Sequence, residues 1–181
     1  MRERMDAGRS GWEDGGMSPA AFPTDPFAGP TRIDLEPVPL AIVRHKDIRV
    51  DALTAAFDQG YSAIGGLFAD GRLVPTGPAI AVYFGDPMGT FDLELGFPVL
   101  RPLTEPIVAG GVTVQASTLP SGPAYAATYV GPYDGLGSAW QALAAAVDAE
   151  PAGVWIESYV SDPSDTAAAQ LRTDLIMPVR E

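Results

Sequence analysis

The chain has 181 residues, 46% of them hydrophobic and 19% charged, enough to bury the core of one globular domain or of two small fused modules. Eleven Lys and Arg against 23 Asp and Glu give a formal charge of −12, and the few basic residues are scattered, which argues against a phosphate-binding face and against direct nucleic-acid binding. The chain has no cysteine and one histidine, His45, so disulfides, thiolate chemistry and multi-histidine metal sites are excluded, and nothing implies a cofactor.

In chain order, residues 1–30 are rich in Gly, Pro, Ser and Asp, with isolated Trp12, Phe22 and Phe27, and read as a disordered or loosely packed tail. The opening MRERMDAGRSGWEDGG lacks the apolar core of a secretory signal, and no apolar run reaches the roughly 20 residues that span a bilayer. The expected location is cytoplasmic, without membrane contact. The folded domain is expected over 31–181. PLAIVRH at 39–45 predicts a strand, Asp47 a helix N-cap, and Val50, Leu53, Phe57, Ile64, Leu67 and Phe68 a helix that Gly60 and Gly65-Gly66 could break. GPAIAVYFGDP at 77–87 and FDLELGFPV at 91–99 then form a hairpin.

The same order recurs. AYAATYV at 124–130 predicts a strand and GPYDG a turn, while Leu136, Ala139, Trp140, Leu143 and Val147 place one apolar stripe on a helix over 134–148, ended by Glu150-Pro151. GVWIESYVSDP at 153–163 and LRTDLIMPV at 171–179 close the series as a second hairpin. GPAIAVYFGDP maps onto GVWIESYVSDP with an offset of 76 residues (77 to 153), so the chain reads as two βαββ modules, about 31–100 and 111–181. The fold class is therefore α+β: two pseudo-symmetric modules forming a curved antiparallel sheet around a central groove.

Side chains alternate across a strand. Ile80, Val82 and Phe84, with Ile156, Ser158 and Val160, form the more apolar set and are expected under the helices, which places the helices on the face opposite the groove. Ala79, Ala81 and Tyr83, with Trp155, Glu157 and Tyr159, are then left to face the groove. The two copies differ most at one point, where Ala81 is small and Glu157 is charged.

A carboxylate in an apolar cleft costs several kcal/mol unless it is paired, hydrogen-bonded or protonated, and an organic cation relieves that penalty. Aromatic faces add about 0.5 to 2 kcal/mol per desolvated cation-π contact. Glu157, Tyr159, Trp155 and Tyr83 are the candidate ligand-binding residues, followed by Tyr133 and Trp140. Competing structural readings make Trp140 a core residue, Tyr133 a helix cap, His45 a surface or turn residue, and Glu157 an ion-pair partner of Arg172 or Arg101.

VGPYDGLGSAWQAL at 130–143, WIESYVSDP at 155–163 and LRTDLIMPV at 171–179 together resemble the GyrI-like effector-binding domains, over about residues 32–180. The resemblance implies a groove that takes flat, apolar, often cationic molecules, with Glu157 at the position of a ligand-facing glutamate. The expected partner is thus a small organic ligand. A second implied reading is a small hydrolase that opens cyclopropane rings, with Glu157 and Tyr159 as catalytic residues and Tyr83 as a hydrogen-bond donor. A third is a protein-interaction inhibitor whose acidic surface imitates nucleic acid, against which stands the absence of any dense acidic block.

Overall fold

The structure is a computed structural model and describes residues 20–181. The first half contains β2 (Pro39–Ile48), α1 (Leu53–Ala69), β3 (Ala79–Gly85) and β4 (Phe91–Pro98). The second contains β7 (Gly122–Val130), α2 (Leu136–Ala146), β8 (Val154–Tyr159) and β9 (Arg172–Pro178). Three further strands, β1 (Thr31–Leu35), β5 (Ile107–Ala109) and β6 (Val112–Thr118), extend the edges. All nine strands form one antiparallel sheet in the order β1-β7-β9-β8-β3-β4-β2-β6-β5, and the two halves meet where β3 pairs with β8. Among the described residues no helix is long and apolar enough to cross a membrane.

The α+β class and the duplicated βαββ order agree with the sequence reading. α1 runs unbroken through Gly60, Gly65 and Gly66. Asp47 does not cap it: Asp47 lies inside β2 at a register shift, with φ of 50° and its N–H donating to Asp92 Oδ1 at 2.9 Å.

The sheet curls. β1 ends at Leu35 and β2 begins at Pro39, yet five strands lie between them in the sheet. Flat strands about 4.8 Å apart would separate them by about 29 Å, whereas four extended residues reach about 14 Å. The β6–β7 link, Thr118 to Gly122, poses the same constraint, and Leu119 N–H donating to Val38 O at 2.9 Å ties the two links together. Inside the curl lies one apolar cluster containing Leu40, Ile42, Ile80, Val82, Ala124, Ala126, Ile156 and Ile176.

This placement reverses the expected faces. Ile80, Val82 and Ile156 do not lie under the helices. The helices cover the other face, where Ala81, Tyr83, Leu93 and Leu95 pack with Leu53, Ala56, Phe57 and Tyr61 of α1, and Leu175 and Met177 pack with Ala139, Trp140 and Leu143 of α2. Both faces of the central strands are apolar, so apolarity does not decide between them. The face a crossover helix takes is set instead by the nearly fixed hand of the connection between parallel strands, here β2 to β3 and β7 to β8.

Residues 20–30 are not loose. Ala21 is 1% exposed, and Phe22 and Phe27 pack against the inner cluster, covering the face that the helices leave bare. The Arg172 guanidinium fastens this strap by donating to the carbonyls of Thr24 (2.8 Å), Asp25 (3.0 Å) and Pro23 (3.2 Å), while Phe27 N–H donates to Thr128 Oγ1 at 2.8 Å. Arg172 also neutralises Asp174, which is fully buried, through Nε at 3.0 Å and Nη2 at 2.7 Å. The expected tail over 1–30 is thus packed from residue 20 onward, and residues 1–19, with Trp12, lie outside the described residues.

Removing one member of a buried ion pair strands the other. Arg172→Met is expected to destabilise the domain by about 3 to 5 kcal/mol in chemical denaturation, and adding Asp174→Asn is expected to return part of that loss.

Candidate functional site

β8 presents Trp155, Glu157 and Tyr159 to the helix-bearing face, and β3 presents Ala81 and Tyr83 beside them, with Ala81 paired to Glu157 and Tyr83 to Trp155. Glu157 is 6% exposed. Its Oε2 accepts hydrogen bonds from Tyr159 Oη at 2.5 Å and Tyr83 Oη at 3.2 Å, and its Oε1 accepts one from Trp140 Nε1 at 2.8 Å. Four of the six candidate residues therefore meet at one carboxylate. Trp155 stands beside them with its ring edge-on to Trp140, centroids 5.4 Å apart, and its Nε1 donating to Gly85 O at 3.2 Å. Tyr133 lies over the edge of Tyr159 at 5.7 Å and is the most exposed of the set.

Trp140 packs on Leu175 and Met177 as a core residue would, and its indole N–H also reaches Glu157. Tyr133 makes no side-chain cap; it begins a short 3-10 turn ahead of α2. Arg172 is engaged with Asp174, so it is not the partner of Glu157. His45 sits on β2, half-buried, with no hydrogen-bond partner for Nε2 among the described residues, and burial lowers its pKa from the ordinary 6.5.

Two aromatic residues of the centre were missed in the sequence. Phe57, read only as a core position of α1, packs edge-on to Tyr159 at 6.0 Å, and Tyr61, one helical turn later, lies 6.5 Å from the same ring. Their spacing of four on the face of α1 that meets the sheet was the available signal. The GPYDG turn owes its glycines to Tyr129, whose hydroxyl donates to Pro132 O at 2.9 Å. Any Cβ at Gly135 would stand 1.9 Å from that hydroxyl, and Gly131 has φ of 152°.

Three acids are buried among the described residues: Glu94, Asp174 and Glu157. Arg44 pairs with Glu94 and Arg172 with Asp174, while no ion pair among the described residues reaches Glu157. Its partners among the described residues are two neutral hydroxyls and an indole. Burial, followed by the charge on Glu157, raises the pKa values of Tyr83 and Tyr159 from the usual 10.0, so both hydroxyls remain protonated donors through the neutral range. Burial, Asp162 and then Glu157 raise Tyr133 as well. Where the sequence reading expects an open groove, aromatic rings close over the carboxylate to supply its donors. Two surface depressions, about 740 Å³ between α1 and Ala109-Gly110 and about 260 Å³ beside Arg44 and Lys46, do not include Glu157. Among the described residues no group of three or more His, Cys, Asp or Glu is placed to hold a metal ion.

These features define a duplicated α+β domain with its polar centre where the halves join. The chain belongs to the GyrI-like small molecule binding domain family, whose model matches residues 32–180. Its fold is similar to the EcmrR C-terminal domain, at 17% identity and a TM-score of 0.66 over 84% of this chain and 97% of that one. In a DNA complex of EcmrR, this chain covers 57% of the EcmrR chain. It is also similar to a hydrolase from Listeria innocua (15% identity, TM-score 0.60, 87% of this chain and 94% of that one) and to SAV2435 bound to tetraphenylphosphonium (14% identity, TM-score 0.61, 83% and 93%). No curated protein matches the chain in sequence.

A tyrosine whose folded pKa is raised holds its proton longer folded than unfolded. It contributes stability that is fully present below the unfolded value near 10 and is lost as pH rises through the folded value. Denaturation midpoints are therefore expected to hold steady up to about pH 9 and to fall beyond the ordinary tyrosine value. Tyr83→Phe with Tyr159→Phe should flatten that alkaline decline.

Proposed function

We propose that the domain binds flat, apolar organic cations at Glu157, as a ligand-sensing or sequestering module. The observation that carries this reading is that, among the described residues, Glu157 is the buried acid without a cationic partner, beside Glu94 and Asp174, which each have one. A cation entering from the helix side takes the place of Trp140 Nε1 on Oε1, while Tyr83 and Tyr159 keep Oε2 oriented. Trp155, Trp140, Tyr159 and Tyr133 then offer ring faces, which add attraction without fixing one ligand shape. Tyr133, already the most exposed ring, moves aside first. The neighbour bound to tetraphenylphosphonium, a tetrahedral apolar cation, supports the choice of an apolar cation, and the flat shape rests on the aromatic ring faces alone.

Glu157→Gln keeps the shape of the side chain and removes its charge. It is expected to weaken binding of a planar cationic dye at least tenfold, about 1.4 kcal/mol or more, with a nearly unchanged melting temperature. Equal dye affinity in the variant would refute the assigned role.

The same atoms support a second reading, favoured by the two tyrosine hydroxyls on one carboxylate and by the neighbour described as a hydrolase. A water held by Glu157 would attack a cyclopropane carbon activated by an adjacent carbonyl, forming a C–O bond and giving its proton to Glu157. The breaking ring C–C bond would release its electron pair into an enolate that accepts a hydrogen bond from Tyr159 or Tyr83, and the proton on Glu157 would then quench the enolate carbon. This reading requires multiple turnovers of a cyclopropane-bearing electrophile, lost in Glu157→Gln; stoichiometric binding alone rejects it.

A further inference from the structure

The repeat offset of 76 residues carries Ala81 onto Glu157 and Tyr83 onto Tyr159. Ala81 and Glu157 are also cross-strand partners in the β3–β8 ladder. A pair of residues that are both repeat mates and direct partners marks where an approximate twofold axis crosses the sheet, so the axis passes between these two. Tyr83 and Tyr159, related by it, donate from either side to the same Oε2 of Glu157. The helices obey a similar relation: the 3-10 turns begin at Val50 and Tyr133, an offset of 83 that carries Phe57 onto Trp140, and both of these rings cover the centre.

The centre is thus symmetric in its tyrosines and asymmetric in its charge. Ala81, with no exposed surface, holds a methyl group where the axis would place a second carboxylate. Directly opposed Cβ atoms lie about 4.5 to 5.5 Å apart. Two acids there would repel each other, and both would ionise only beside a doubly charged guest.

We propose that Ala81 is the specificity-determining residue of this centre: it limits the site to one negative charge and so to ligands carrying one positive charge. The inference rests on the reading of Glu157 as the partner of a cation. It adds that the position is defined by the axis, so that a carboxylate on either side of it serves.

The test moves the charge. 1-Methyl-4-phenylpyridinium serves as the singly charged probe and 1,1′-dimethyl-4,4′-bipyridinium as the doubly charged one, two flat biaryl cations of similar size, with binding followed by calorimetry on the full chain and folding checked by thermal melts. The wild type is expected to favour the single charge, and Glu157→Ala to lose at least tenfold in affinity for it. Combining Ala81→Glu with Glu157→Ala keeps one carboxylate and the same net charge, and should return affinity to within about threefold of wild type, since Tyr83 and Tyr159 reach the new acid from the opposite side. Ala81→Glu alone should raise affinity for the doubly charged probe at least tenfold. Should that variant not fold, the double substitution carries the test. A folded double variant that binds no better than Glu157→Ala, or a wild type that binds both probes equally, overturns the inference. Undiminished affinity in Glu157→Ala would instead remove the reading of Glu157 itself, and this inference with it.

Discussion

The structure turns on one carboxylate held out of water by neutral donors. Taking Glu157 from water into a nearly closed aromatic setting costs several kcal/mol, and hydrogen bonds to a charged group return about 1.5 to 3 kcal/mol each. Three such bonds offset the burial without cancelling the charge. Each donor comes from a different part of the chain: Tyr83 from the first half, Tyr159 from the second, and Trp140 from α2. The acid therefore depends on the halves being docked, and its field acts in a medium where attraction to a cation is several-fold stronger than in water.

The same two strands supply the contrast. Asp174 on β9 and Glu157 on β8 are both buried, on opposite faces of the sheet. On the inner face Asp174 has a permanent counter-ion in Arg172, which also fastens the strap over the inner core. On the helix face Glu157 has none among the described residues. One acid closes the structure, and the other is the charge on which the proposed cation binding rests.

Much of this was legible in the sequence. The repeat, the two hairpins and both helices follow from period-two and period-3.6 patterns that each half states on its own, and the Trp155, Glu157, Tyr159 face follows from alternation alone. What escaped depends on the whole chain. Which face the helices take is fixed by crossover hand, and apolar strands such as β3 give no local sign of it. Residues 20–30 look like a tail because Ala21, Phe22 and Phe27 gain their burial only against strands far along the sequence. The β5–β6 hairpin did carry a signal, Gly110-Gly111 between two β-rich runs, and both glycines have the positive φ of a tight hairpin turn. Phe57 and Tyr61 fitted a core stripe well enough to hide their contact with Tyr159.

The most direct measurement follows the indole N–H resonance of Trp140 by NMR while tetraphenylphosphonium is added. Its hydrogen bond to Glu157 is the contact that, in the proposed binding mode, an incoming cation replaces. The account predicts a saturable shift of that resonance away from its hydrogen-bonded position, at the same concentrations at which the cation binds. A cation that binds while the Trp140 signal stays in place would contradict it.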